Sequence, residues 1–171
     1  MSAGTFPKPS LRPYHDSDLS SLSEIRFAAI EELTAEDYDE AQRQAWASLA
    51  DDDEAFAQTL AKGLTLVAQI GGETVGFITL HDGGVVDQLY VHPAVAHTGV
   101  ATALCDAIER QAAAHGIATL VADVSDTVKP LFEARGYRAD RRQTIEIDGQ
   151  WLGNTRMKKV LAPKSTQDGR Q

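Results

Sequence analysis

At 171 residues the chain has room for one hydrophobic core and not for two comfortable domains, so any chemistry it performs must share one cleft. Hydrophobic residues at 43% against 24% charged exclude a disordered or fibrous chain and predict a packed interior. The formal net charge of −9, with no basic cluster to interrupt it, excludes the footprint of a nucleic-acid binder and favours cationic partners such as amines.

In chain order, residues 1–10 and 162–171 read as loose tails on a single domain spanning 11–161. A short strand at Leu11–Tyr14 leads to a helix capped by Asp16 or Ser17, whose apolar positions Leu19, Leu22, Ile25 and Ala29 recur at helical spacing. Thr34 is the expected cap of a second helix over Ala35–Leu49, and the acidic run Asp51–Glu54 precedes a third over Asp53–Lys62.

Beyond Gly63 the period changes. Leu64–Ile70, Thr74–Leu80 and Val85–Val91 are β-rich runs separated by Gly71-Gly72 and Asp82-Gly83-Gly84, which predicts an antiparallel meander. Gly99–His115 reads as a long helix stopped by Gly116, and Ala118–Val124 as a strand closing a parallel crossover. A short helix over Val128–Arg135 ends at Gly136, and Tyr137–Ile147 pairs with Trp151–Leu161 through Asp148-Gly149. The expected class is α/β: a mixed, mostly antiparallel sheet with a central β-α-β crossover, flanked by helices.

Cys105 is the lone cysteine, so no internal disulfide forms, and its apolar surroundings mark it as a core residue in a reducing compartment. The start, MSAGTFPKPS, has no apolar leader segment, and no run reaches the ~18 apolar residues of a membrane span. The expectation is a cytoplasmic protein without a membrane partner.

The stretch VVDQLYVHPAVAHTGVATALCDAIE carries the chemistry: a strand passes through a Pro-containing turn into Gly99 at a helix start. Such a turn aims unpaired backbone N–H groups outward, and with the helix dipole they suit a diphosphate. Gly99 permits close approach and the small Ala101 avoids blocking it. Strand, turn, glycine and helix also occur together in α/β proteins with no phosphate ligand.

This stretch resembles the cofactor motif of the GNAT acetyltransferases, Gln/Arg-x-x-Gly-x-Gly/Ala, which falls on Ala96, His97, Thr98, Gly99, Val100 and Ala101. Gly99 and Ala101 fit; Ala96 stands where Gln or Arg is usual and His97 where Gly is common. The resemblance extends through nearly all of Leu11–Leu161, and the WASL segment, DVSDTVKPLFEARGY and GQWLGNTRM are similar to a subgroup of small bacterial GNAT proteins of unsettled substrate. It implies acetyl-CoA as acyl donor, no metal, and an amine-bearing small molecule or peptide as acceptor. It also implies that the backbone of Leu89-Tyr90-Val91 pairs with the pantetheine arm, and that Ser125 and Phe132 lie against the cofactor.

The acceptor amine must lose a proton near pKa ~10.4 before it attacks, so a carboxylate in the cleft is wanted. Asp87, two residues before Leu89 and expected on its face, is the candidate base or ammonium anchor; pairing with an arginine or capping a loop is the bland alternative. A backbone N–H of Leu89–Tyr90 is a candidate oxyanion donor if a bulge frees it. The family's acid, a tyrosine four residues before the glycine of Tyr-x-x-x-Gly-Phe, is replaced here by Phe132, leaving Tyr90, Ser125 or solvent. Ser125 and Asp126 are otherwise candidate helix caps. Tyr38, Trp46 and Trp151 are candidate acceptor contacts, with core packing as the alternative.

Two other classes remain open at this point. One is an acyl-CoA-binding sensor that has lost catalysis, for which Phe132 and Ala96 speak; the other is an interaction protein pairing as a homodimer through the Trp151 hairpin.

Overall fold

The computed structural model describes residues 6–161; the N-terminal residues 1–5 and the whole expected C-terminal tail lie outside them. Strand β1 (Ser10–Pro13) is followed by three helices, α1 (Leu19–Leu33), α2 (Glu40–Ala47) and α3 (Asp53–Lys62). The meander follows as β2 (Leu64–Ile70), β3 (Glu73–His81) and β4 (Val85–Val91). Helix α4 (Val100–Ala114), β5 (Thr119–Ser125), α5 (Lys129–Ala134), β6 (Arg138–Ile147) and β7 (Gln150–Val160) complete the order. The seven strands form one sheet, β1-β2-β3-β4-β5-β7-β6, antiparallel everywhere except between β4 and β5. That is the mixed α/β architecture with a central crossover.

Two layers cover the sheet. Val100, Leu104 and Ile108 of α4 bury themselves against Ile78, Leu80 and Val86 on one face. Leu22 and Ile25 of α1, with Phe56 and Leu60 of α3, meet Val67 and Phe77 on the other. The alternation of strand side chains supplies both faces at once, which is why β2 and β3 are apolar almost throughout. Helix α2 packs on the terminal hairpin instead, where Ala45 and Tyr38 meet Ile147 and Leu152. The hairpin turns at Asp148-Gly149, both at positive φ (49° and 81°), as a tight two-residue β-turn requires. No helix of the described residues is long and apolar enough to cross a membrane.

Most expected elements form within a residue or two, but the N-terminal third differs. Asp16–Asp18 is a 3-10 turn, held because Asp18 accepts the His15 N–H at 2.8 Å and pairs with Arg12 at 2.7 Å. Neither Asp16 nor Ser17 caps α1. Thr34 likewise caps no second helix: it closes α1, its hydroxyl donating back to the Ile30 carbonyl. The chain then turns over 35–39, and α2 starts later because Asp39 and Gln42 cap each other reciprocally at 2.8 and 2.9 Å. The acidic run does mark a helix start, with Asp52 accepting the Ala55 N–H at 3.1 Å.

Candidate active site

The cleft exists because two parallel strands part. Strands β4 and β5 pair only at Val85–Val121 and Val86–Ala122, and beyond that point Leu89–Val91 and Ala122–Ser125 line opposite walls of a cavity of about 560 Å³. On the other side Leu89–Val91 stay paired with Gly76–Ile78 of β3, and the His92 N–H donates to Val75. In an antiparallel ladder this turns the N–H and C=O groups of Leu89 and Val91 away from β3, toward the gap. The strand thus offers an open edge to the cleft.

The loop at the mouth adds a second set of unpaired groups. His97 (φ 64°) and Gly99 (φ 98°) both take left-handed backbone conformations, curling the chain into the start of α4. The first helical bond seen there runs from the Ala103 N–H to Gly99; the N–H groups of His97 through Thr102 have no protein acceptor among the described residues. A Cβ on Gly99 would meet nothing within 4 Å, so the glycine leaves open space beside those donors. A concave run of free N–H groups at the N-terminus of a 15-residue helix fits a diphosphate.

Among the expected cofactor contacts, Leu89, Tyr90, Val91, His97, Gly99 and Ala101 line this cavity, as do Ser125 and Phe132. Thr98 and Val100 do not bring their side chains to it. The Thr98 hydroxyl donates to Val95 at 2.6 Å, and Val100 is buried in the core, leaving each only a backbone N–H to offer. Phe132 packs edge-on against Tyr137, ring centroids 4.8 Å apart. Neither Ser125 nor Asp126 caps α5, which begins after Val128 with no side-chain cap. Asp126 is instead held by Arg142 and by the Tyr38 hydroxyl, which accepts its N–H at 2.9 Å.

Asp87 lines the cavity but not on the face expected of it. Ile78 opposes Leu89 and Leu80 opposes Val86, so Asp87 and Gln88 together face the single residue Thr79 across a β-bulge. The extra residue reverses the alternation: Val86, Leu89 and Val91 pack on the α4 side, and Tyr90 packs on the α1 side. Asp87 points to the α1 side too, where its Oδ2 lies 3.0 Å from His81 Nε2. Its partner is a histidine, not an arginine, and its side chain stays 39% exposed.

A smaller cavity of about 200 Å³ opens from this region toward the terminal hairpin, and Trp46, Asp87, Tyr90, Asp123 and Ser125 line both. Trp46 stands between Tyr38 and Tyr90, at centroid distances of 5.5 and 6.4 Å, and its Nε1 donates to the Tyr90 hydroxyl at 3.1 Å. Burial pushes the Tyr90 hydroxyl above its ordinary pKa, so it remains protonated. Tyr38 presents its ring to the smaller cavity while its hydroxyl donates to Gly153 at 2.7 Å, bridging β5 and β7. Trp151 lines neither cavity: it is 60% exposed, because alternation along β7 buries its neighbour Leu152.

Three residues here escaped the sequence reading. His81 holds Asp87; Asp123 lies on the wall opposite, kept below the usual carboxylate range by its bond from Arg156; Arg26 reaches the smaller cavity from α1. A histidine closing a strand and an arginine in an amphipathic helix carry no local signal of a site. Asp123 sits inside the strand expected at Ala118–Val124, and nothing beside it in sequence marks a site.

Known proteins resemble this chain in sequence and in fold. Residues 34–161 match the family model described as an acetyltransferase (GNAT) domain. The chain is 31% identical over 148 residues to the uncharacterized N-acetyltransferase YafP of Escherichia coli K12, covering 86% of this chain and 93% of that one. A GCN5-related N-acetyltransferase from Rhodopseudomonas palustris superposes with a TM-score of 0.90 at 44% identity, over 94% of this chain and 100% of the other. The PaiA N-acetyltransferase of Thermoplasma acidophilum, in complex with coenzyme A, shares the fold at a TM-score of 0.73 and 18% identity, over 90% of this chain and 99% of that one.

Proposed function

The chain belongs to the GNAT family of acetyltransferases, an acyltransferase by that membership, and from this premise we propose that its cleft takes acetyl-CoA and passes the acetyl group directly to a primary amine. The observation that carries the reading is the meeting, in one cavity, of the open edge of β4 with the acceptor-free N–H groups of His97–Thr102. The N–H cradle suits the diphosphate, and the Leu89–Val91 edge suits the amide-bearing arm. When bound, acetyl-CoA supplies an activated thioester.

The amine enters from the smaller cavity, where Asp87 anchors the ammonium and takes its proton. His81 fixes Asp87 Oδ2 and leaves Oδ1 to face the acceptor. The cleft-facing N–H of Leu89 is the oxyanion donor, and it costs no rearrangement because no strand partner has to release it. Phe132 has no proton to give. Tyr90 is the proposed substitute: Trp46 occupies an acceptor site on its oxygen, and the protonated O–H is left to donate. Because a CoA thiolate leaves readily, the demand on this group is small.

Thiol release from acetyl-CoA, followed in the presence of a panel of primary amines, tests the reading. Amine-dependent turnover supports transfer. Tight acetyl-CoA binding with no turnover on any amine would favour a sensor, the role that Phe132 in place of a tyrosine suits.

A further inference from the structure

One buried ion has no part in this chemistry. Arg26 is 4% exposed, and a guanidinium taken from water is costly unless a negative group answers it. Its Nη1 and Nη2 donate to the carbonyls of Ala47 and Trp46, each at 3.1 Å, and its Cζ lies 5.3 Å from the Tyr90 ring centroid. Those two carbonyls end helix α2, so their partial negative charge offsets part of the cost. They engage two of the N–H donors a guanidinium carries, and the Tyr90 hydroxyl answers it from the other side, so its neighbours are neutral groups and its charge has no counter-ion.

No described carboxylate pairs with Arg26, whereas Arg12, Arg43, Arg142 and Arg156 each hold one and Arg135 holds two. Arg26 also lines the smaller cavity, together with Asp87. A fixed cation and two carboxylates, Asp87 and the Arg156-paired Asp123, therefore border one small space, walled by Trp46, Leu49, Ile147 and Leu152.

We propose that the acceptor is an amino-carboxylate with an apolar side chain: its carboxylate pairs with the Arg26 fork, its ammonium faces Asp87, and its side chain fills the apolar wall. The proposal rests on the acetyltransferase reading and names the substrate class of that site. A zwitterion gives each buried or half-buried charge its counterpart, which a plain amine does not. The planar fork of arginine, already oriented by the two α2 carbonyls, is built for two-point contact with a carboxylate.

The test is calorimetric titration of the protein saturated with CoA, which carries no acetyl group and permits no turnover. The ligands are phenylalanine, phenylalaninamide and 2-phenylethylamine, which differ only at the carboxyl position. Phenylalanine is expected to bind ~10-fold or more tightly than the other two, the range for losing a charged hydrogen-bonded contact. Arg26→Gln should abolish the preference, and Arg26→Lys, which keeps the charge and loses the fork, should retain part of it. The comparison on the unaltered protein stands even if a variant fails to fold. Equal affinity for all three, tighter binding of the amine, or no binding of phenylalanine overturns the proposal. Saturation with CoA in the same cell reports on the reading beneath: CoA binding without a carboxylate preference removes the Arg26 assignment alone, and no CoA binding removes both.

Discussion

The larger cavity presents main-chain groups, the free N–H donors of His97–Thr102 and the open edge at Leu89–Val91. The smaller one is bordered by side chains from α1, α2, β4, β5 and the β6–β7 hairpin, among them Arg26, Trp46, Asp87 and Asp123. The contrast separates two tasks. Backbone donors grip a common ligand and tolerate sequence change, so Ala96 and His97 can depart from the family motif while the N–H cradle still forms. In the proposed reading side chains select the acceptor, and there a single substitution can change the chemistry.

Four substitutions sharpen or break that division. Asp87→Asn has the largest expected effect: kcat falls ~100-fold or more while the acetyl-CoA Kd moves by less than about threefold, because the carboxylate serves the amine. Steady-state kinetics beside calorimetry checks this, and an equal loss in both would erase the distinction between the two cavities. Gly99→Val should do the reverse, raising the acetyl-CoA Kd ~10-fold, since a β-branched residue at φ 98° is strained and its side chain enters the space beside the cradle. His81→Asn frees the Asp87 carboxylate to rotate and should lower kcat about tenfold with KM for acetyl-CoA unchanged. Smallest is His97→Gly, which relieves a non-glycine residue at φ 64°. It should raise Tm by about 1–4 °C in a thermal melt without weakening acetyl-CoA binding.

The same contrast decides what could be read from the chain. The cradle is contiguous, since strand, turn, Gly99 and the first helical residues lie within 85–102, and its chemistry follows from local geometry. The meander, the crossover and the terminal hairpin are legible for a related reason, since glycine-marked turns and apolar runs are local signals, whereas the insertion of β7 between β5 and β6 and the pairing of β1 with β2 have no such signal. The acceptor side brings together Arg26, Trp46, His81, Asp87 and Asp123, and no short window contains them. The alternation Val86, Leu89, Val91 conceals a bulge, because nothing at Asp87-Gln88 announces the extra residue that turns the carboxylate toward α1. Competing caps decide where α2 starts: Asp39-x-x-Gln42 outweighs Thr34 once the Thr34 hydroxyl bonds back into α1. The size of Trp151 suggests a pocket contact, while the period of β7 sends Leu152 inward and Trp151 outward.

The central claim is that the parted strands and the α4 loop form an acetyl-CoA site. Titrating the purified protein with acetyl-CoA in a calorimeter, with CoA as the comparison, tests it most directly. Saturable one-to-one binding, weakened in Gly99→Val and unchanged in Asp87→Asn, is the predicted result; no binding up to millimolar concentrations would contradict it.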